Sequence, residues 1–191
     1  MSTALRLIGL TGPNAAGKGE VAACLAARGF VYHSLSDVLR DELRRAGLPP
    51  TRENLIAVGN ELRAAHGPGV LAEKILERLT GRDVVDSIRN PAEVEVLRRV
   101  AGFVLIGVDA PLQERFRRAV SRGRPGDGPT LDEFREKEAR ENSPDVNRQQ
   151  LARTFAMADR TLMNEGSLDD LHRRVEDLLL TLAERSPAAL Q

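Results

Sequence analysis

Apolar residues gather in short runs at Leu5–Leu10, Gly29–His33, Asp83–Asp86, Phe103–Val108 and Thr161–Met163, each of strand length and apolar or β-branched in character. Long amphipathic stretches separate them. That alternation predicts an α/β fold, a five-stranded parallel sheet with helices on both faces. In such sheets ligands bind beyond the carboxyl ends of the strands, which is where polar residues with a chemical role should fall.

The helical stretches have readable ends. An alanine-rich pattern runs from Gly17 to Arg28, and Ser36 or Asp37 can cap a helix reaching about Ala46. The segment Gly47 to Asn54 reads as a turn and helix start, followed by a helical pattern through Leu62, a break at His66-Gly67-Pro68-Gly69 and a helix to about Leu79. Gln113 to Arg122 reads as a helix. Gly123 to Thr130, rich in glycine and proline, is a loop. Thr130 and Glu133 have the spacing of a capping box, opening a charged helix to about Asn142, and Leu168 to Leu182 closes the chain.

The stretch Gly12-Pro13-Asn14-Ala15-Ala16-Gly17-Lys18-Gly19-Glu20 lies between the first predicted strand and the first predicted helix. A G-x-x-x-x-G-K loop in that context turns backbone N–H groups and a helix N-terminus toward one point, and Lys18 adds a mobile charge there, which suits a polyphosphate. A glycine turn that binds nothing is the bland reading, and the flanking strand and helix argue against it. The residue after the lysine is Gly19, so the hydroxyl that commonly ligates Mg²⁺ is missing and Glu20 follows instead.

Other strand ends carry charge. His33-Ser34-Leu35-Ser36-Asp37-Val38-Leu39-Arg40 follows the second strand. There Asp37 and Arg40 lie three apart, and taken alone they read as a helix cap with a surface ion pair. Asp86 ends the third strand with Arg89 three residues on, where a carboxylate that organises Mg²⁺ beside a phosphate loop belongs. Arg115, Arg118 and Arg122 recur at i, i+3 and i+7 on one helix face, a repulsive arrangement that calls for an anion or acidic partners. Arg52 and Arg63 are further candidate anion contacts in the helical excursion. The flexible basic segment from Arg122, through Arg124, to the charged helix has the character of a lid over phosphates.

Composition narrows the class. With 28 basic and 28 acidic residues the formal net charge is zero, so neither a nucleic-acid coat nor a membrane-surface protein is expected. The one cysteine, Cys24, permits no internal disulfide and reads as a small buried residue. The start, Met1 to Arg6, lacks a signal-peptide layout, and a cytoplasmic protein is expected. Only Lys18, Lys74 and Lys137 are lysine, which makes Lys18 conspicuous. There is no Asn-Lys-x-Asp motif of a GTPase, and Ser87, not glutamate, follows Asp86, unlike a motor ATPase.

Gly17-Lys18-Gly19 resembles the Gly-Lys-Gly of adenylate kinases and other nucleoside monophosphate kinases, in which glycine after the lysine is normal. The segment His33 to Arg40 is similar to their His-Ile-Ser-Thr-Gly-Asp-Met-Leu-Arg, and Asp86 with Arg89 to their Asp-Gly-Phe-Pro-Arg, each one residue shorter here. Arg118 and Arg122 resemble the arginine pair that opens their lid. Ala158-Asp159, Asn164-x-Gly166 and Gly9-Leu10-Thr11-Gly12 look more like dephospho-CoA kinase, and the whole chain is similar to a bacterial and archaeal group of small P-loop kinases related to both.

The resemblance implies a three-layer P-loop fold over residues 1–191, with about 34–79 as an acceptor-side helical region and about 122–142 as a lid. It implies an ATP- and Mg²⁺-dependent phosphotransferase acting on a nucleoside or deoxynucleoside monophosphate. In that scheme Gly12, Asn14, Ala15, Ala16, Gly17, Lys18, Gly19, Glu20 and Asn164 bind the donor. Arg40, Arg89, Ser36 and Asp37 bind the acceptor, and Asp86 holds Mg²⁺ through water. Lys18, Arg118, Arg122, Asp86 and Asp37 form the catalytic set. Alternatives are a dephospho-CoA kinase-like hydroxyl acceptor, for which Asp37 would be the proton acceptor, and a nucleotide-binding regulatory protein without turnover.

Overall fold

The computed structural model describes residues 5–123 and 127–184. Arg124, with the adjoining part of the expected lid, and Met1 to Ala4, read above as part of a start without a signal-peptide layout, lie outside the described residues.

Strands β1 (Leu7–Thr11), β2 (Val31–Ser34), β3 (Asp83–Asp86), β4 (Phe103–Asp109) and β5 (Arg160–Met163) form one parallel sheet in the order β2-β3-β1-β4-β5. The sequence runs coincide with these strands to within one or two residues. Every residue of β1 is buried, as a central strand with both faces covered requires. Leu7 pairs with Asp83 of β3 on one side and Phe103 of β4 on the other, so the strands leave the sheet at a common edge.

Helices α1 (Lys18–Ala26), α2 (Leu35–Arg45), α3 (Arg52–His66), α4 (Val70–Leu76), α5 (Pro91–Leu97), α6 (Leu112–Arg122), α7 (Leu131–Ala139), α8 (Leu151–Ala156) and α9 (Leu168–Glu184) surround it. Side chains alternate across β1. Ile8 and Leu10 join Val21 and Leu25 of α1 and Leu171 and Val175 of α9 in one core. Leu7 joins Leu35, Val38 and Leu39 of α2, Leu71 and Ile75 of α4 and Val94 and Leu97 of α5 in the other. Cys24 is buried in the first of these.

Some local expectations change. Ser34 caps α2, accepting from the Ser36 N–H at 3.2 Å, so Ser36 and Asp37 lie inside the first turn. The last strand residue thereby also starts the helix. Helix α7 ends at Ala139, short of Asn142, and its Phe134 is 1% exposed, which seats the helix on the body. Short helices α5 and α8 were not foreseen. Arg63 is 3% exposed and gives its guanidinium to Glu93 Oε1, through Nε at 3.2 Å and Nη2 at 2.8 Å. It is a core ion pair between α3 and α5, not an open anion contact. The other Glu93 oxygen accepts the Arg89 and Asn90 N–H groups at 2.9 and 3.0 Å, which fixes the backbone that carries Arg89.

Candidate active site

The loop between β1 and α1 is held tightly. Thr11 Oγ1 donates to the Ile88 carbonyl at 2.9 Å. Gly12 has φ +135°, and a Cβ there would stand 2.0 Å from the Val108 carbonyl oxygen, so only glycine lets the loop pass beneath β4. Ala15 and Gly17 are also left-handed, curling the loop around the start of α1. Lys18 Nζ donates to the Gly12 and Pro13 carbonyls at 2.7 and 2.9 Å. Burial lowers its pKa to about 8; Asp86 opposes the shift, and Arg89 and Arg115 reinforce it.

A cleft of about 790 Å³ opens over this loop, lined by Asn14, Ala15, Gly17, Lys18, Gly19, Glu20, Asp86, Arg118, Arg122 and Asn164, among others. These expected residues are brought together. Gly12 and Ala16 are not on its wall: Gly12 lies under β4, and Ala16 is buried with its carbonyl accepting from Asn164 Nδ2 at 2.9 Å. Arg118 Nη2 donates to the Asn164 carbonyl at 3.0 Å, while its Nη1 is buried and has no hydrogen-bond partner among the described residues. Tyr32, which sequence reasoning passed over, also lines this cleft; burial first, and then Asp86, raises its pKa.

A second cavity of about 730 Å³ lies under α2 and α3, with an aliphatic wall of Leu35, Leu39, Leu55, Ile56 and Leu71 and with Ser36, Arg52, Glu141 and Gln149 along it. Asn14, Arg40, Ser87, Arg89 and Arg122 line both spaces, so the two meet there. Arg122 Nη2 donates to Asn14 Oδ1 at 3.0 Å and Asp127 Oδ2 at 2.8 Å. Ser87 has φ +67°, a strained setting for a non-glycine residue, and its N–H donates to Asp86 Oδ1 at 2.5 Å. Asp37 lines neither space; its carboxylate pairs with Arg40 at 2.5 Å on the exposed first turn of α2.

Arg115 does not line the cleft that Arg118 and Arg122 share. It donates to the Ala110 carbonyl at 2.9 Å and pairs with Glu138, its guanidinium over the Phe134 ring. Glu141 is the acidic partner of Arg89 and Arg52. Gln149 Oε1 is buried without a hydrogen-bond partner among the described residues. Neither Glu141 nor Gln149 carried a signal in the sequence, since one lies at the end of a charged helical run and the other in an irregular loop.

Asp86 stands at the end of β3 on the wall of the loop cleft. Among the described residues no group of three or more His, Cys, Asp or Glu could hold a metal. Asp86 and Glu20 are the carboxylates on that wall. Among the described residues no helix is long and apolar enough to cross a membrane.

A five-stranded parallel sheet with helices on both faces and a glycine-framed loop leading into α1 is the P-loop kinase fold. The likeness extends to TT1252 of Thermus thermophilus, with a TM-score of 0.59 and 27% identity over 94% of this chain and 98% of that one. Shikimate kinase of Bacteroides thetaiotaomicron gives a TM-score of 0.60 at 16% identity, covering 92% of this chain and 98% of that one. A gluconokinase of Sinorhizobium meliloti gives 0.56 at 18%, covering 94% of each. The fold is thus shared with several small-molecule kinases and is not specific to adenylate or dephospho-CoA kinases. No family model matches the chain. It belongs to the UPF0200 family: it is 35% identical over 187 residues to the UPF0200 protein of Hyperthermus butylicus, spanning 95% of this chain and 98% of that one.

Proposed function

We propose that the chain is an ATP-dependent phosphotransferase whose acceptor is a nucleoside or deoxynucleoside monophosphate. The common wall of the two spaces carries this reading, because Arg40, Arg89 and Arg122 face the boundary between them. Transfer between two phosphates needs little acid–base chemistry. It needs two anions held end to end against their repulsion, with cations at the junction.

In this reading the loop N–H groups and Lys18 hold the donor's phosphates, Asn164 braces the loop from behind, and Arg118 faces the donor on the Asn164 side. Arg122 stabilises charge on the transferring phosphoryl. Arg40 and Arg89 present planar forks to the acceptor's phosphate, while Ser36 and the Gln149 amide meet its body. Asp86 would hold Mg²⁺ through water, and the ion would neutralise phosphate charge there. Residues 34–79 form the acceptor side and 122–142 the lid, with α7 seated on the body through Phe134.

A hydroxyl acceptor, as for dephospho-CoA kinase, is the second reading. One observation favours it: Arg89 already carries a carboxylate partner in Glu141. Against it, Asp37, the residue that would take the hydroxyl proton, lines neither space. ADP release with ATP is to be measured against the common nucleoside and deoxynucleoside monophosphates and dephospho-CoA. Monophosphate-dependent turnover is expected. Turnover with dephospho-CoA alone would transfer the assignment to the second reading, and ATP binding with no acceptor-dependent turnover would leave a nucleotide-binding regulatory protein.

A further inference from the structure

The acceptor cavity already contains an anion of the protein's own. Glu141 is 4% exposed, and both its carboxylate oxygens are engaged, Oε1 by Arg52 Nη2 at 2.7 Å and Oε2 by Arg89 Nη1. The pairing continues along the rim: Arg52 Nη1 lies 3.6 Å from Asp127, which in turn accepts from Arg122 at 2.8 Å. Three arginines thus alternate with two carboxylates. A phosphate dianion placed at Arg89 meets a cation whose partner is already in place, and a like charge beside it.

The carboxylate is delivered by a fixed backbone. The Glu141 N–H donates to the Glu138 carbonyl at 3.0 Å and its own carbonyl accepts from Leu151 N–H at 3.0 Å. Glu138 is itself tied to the buried Arg115. Little conformational entropy is therefore lost in holding Glu141 against the arginines, unlike a surface ion pair between two long free side chains.

We infer that Glu141 is the specificity-determining residue of the acceptor cavity, its carboxylate occupying against Arg89 the place that the acceptor's phosphate takes in turnover. This rests on the phosphate-acceptor reading above. Free orthophosphate has only its charge with which to displace the carboxylate. A phosphate borne on a body that packs against Leu35, Leu39, Leu55 and Ile56 adds apolar burial to that charge, and so displaces it. A cavity that must grip phosphate beside a donor polyphosphate in this way rejects the commonest small phosphate anion.

The test uses the full chain, titrated with inorganic phosphate at pH 7 by isothermal calorimetry, as wild type, Glu141→Gln and Glu141→Gln/Arg89→Met. Sites on the Lys18 loop are common to all three and serve as the internal reference. Glu141→Gln is expected to gain a phosphate site at least about tenfold tighter than wild type offers, the scale of removing a like charge from a partly buried position. Arg89→Met is expected to abolish that gain. A Glu141→Gln titration that superimposes on wild type, or a gain that survives Arg89→Met, would overturn the inference.

Should Glu141→Gln not fold, Glu141→Asp decides, since it keeps the charge but draws it back by one methylene; a gain of about threefold is expected and none would overturn the inference. The two readings fail separately. Monophosphate turnover by wild type without a phosphate gain sinks the role of Glu141 alone. A phosphate gain without monophosphate turnover supports that rim role and sinks the acceptor assignment.

Discussion

Asn164 Nδ2 donates to the Ala16 carbonyl at 2.9 Å, joining the turn after β5 to the loop between β1 and α1 across 148 positions of sequence. The residue is 6% exposed, and its own carbonyl accepts from Arg118. Asn164→Ala is expected to leave a buried carbonyl unpaired, a loss of about 1–3 kcal/mol, and to weaken ADP binding through a slackened loop. Denaturant unfolding and an ADP titration check this; unchanged values in both would show that the loop does not depend on the brace.

Lys18→Ala is expected to lower phosphoryl transfer by about 10²-fold or more, the scale seen when a preorganised charge on the reacting group is lost. The folded state should tolerate it, because the deleted ammonium is itself penalised by burial. ADP release retained within a few-fold of wild type would place the donor's phosphates elsewhere.

Affinity for ATP should fall at alkaline pH. With the Lys18 pKa at about 8 in the free protein, and raised once phosphates surround the ammonium, binding takes up a proton above pH 8. Affinity is then flat below that value and declines by up to about tenfold per pH unit above it, until the pKa of the bound state is reached. Dissociation constants at pH 7, 8 and 9 test the sign, and Lys18→Met should remove the dependence.

Arg63→Met leaves Glu93 buried without its cation, and Glu93→Gln leaves Arg63 without its anion. Either is expected to cost about 3–5 kcal/mol in unfolding free energy. Glu93→Gln should also loosen the backbone of Arg89, because the same carboxylate holds the Arg89 N–H. Melting temperatures within a degree of wild type would contradict a core role for the pair.

Asp37→Asn should change monophosphate turnover by no more than a few-fold, since the side chain lies outside both spaces and is paired with Arg40. A loss of orders of magnitude, confined to a hydroxyl acceptor, would instead identify it as the proton acceptor of the second reading.

What the sequence disclosed is what local chemistry encodes. The run that became β1 is short and wholly apolar up to Thr11 because both faces of the sheet are covered there, and the loop from Gly12 to Lys18 is legible because Gly12 is dictated by close backbone approach and Gly17 by a left-handed φ. Contacts distant in sequence were not legible. Arg63 and Glu93 stand 30 residues apart, each an ordinary helix charge until α3 and α5 meet. Glu141 looked like one acid among many. Helix α5 did announce itself through Asn90, Pro91 and Glu93, a cap, a first-turn proline and a box partner, but its seven residues are too few for helical periodicity to show. Asp37 stands beside motif residues in the chain, and the Ser34 cap sets it in the first turn of α2, where it pairs with Arg40.

The glycine wedged beneath the Val108 carbonyl also bears on how a phosphate ligand would meet the loop in the proposed reading. With Gly12 against β4 and Thr11 tied to Ile88, the backbone there is held from two sides, and on the proposed reading Lys18 has only to swing about its own side-chain torsions. Association should therefore proceed at a rate set by diffusional encounter, not by a preceding rearrangement of the loop, and differences in affinity among phosphate ligands should reside in how fast they leave.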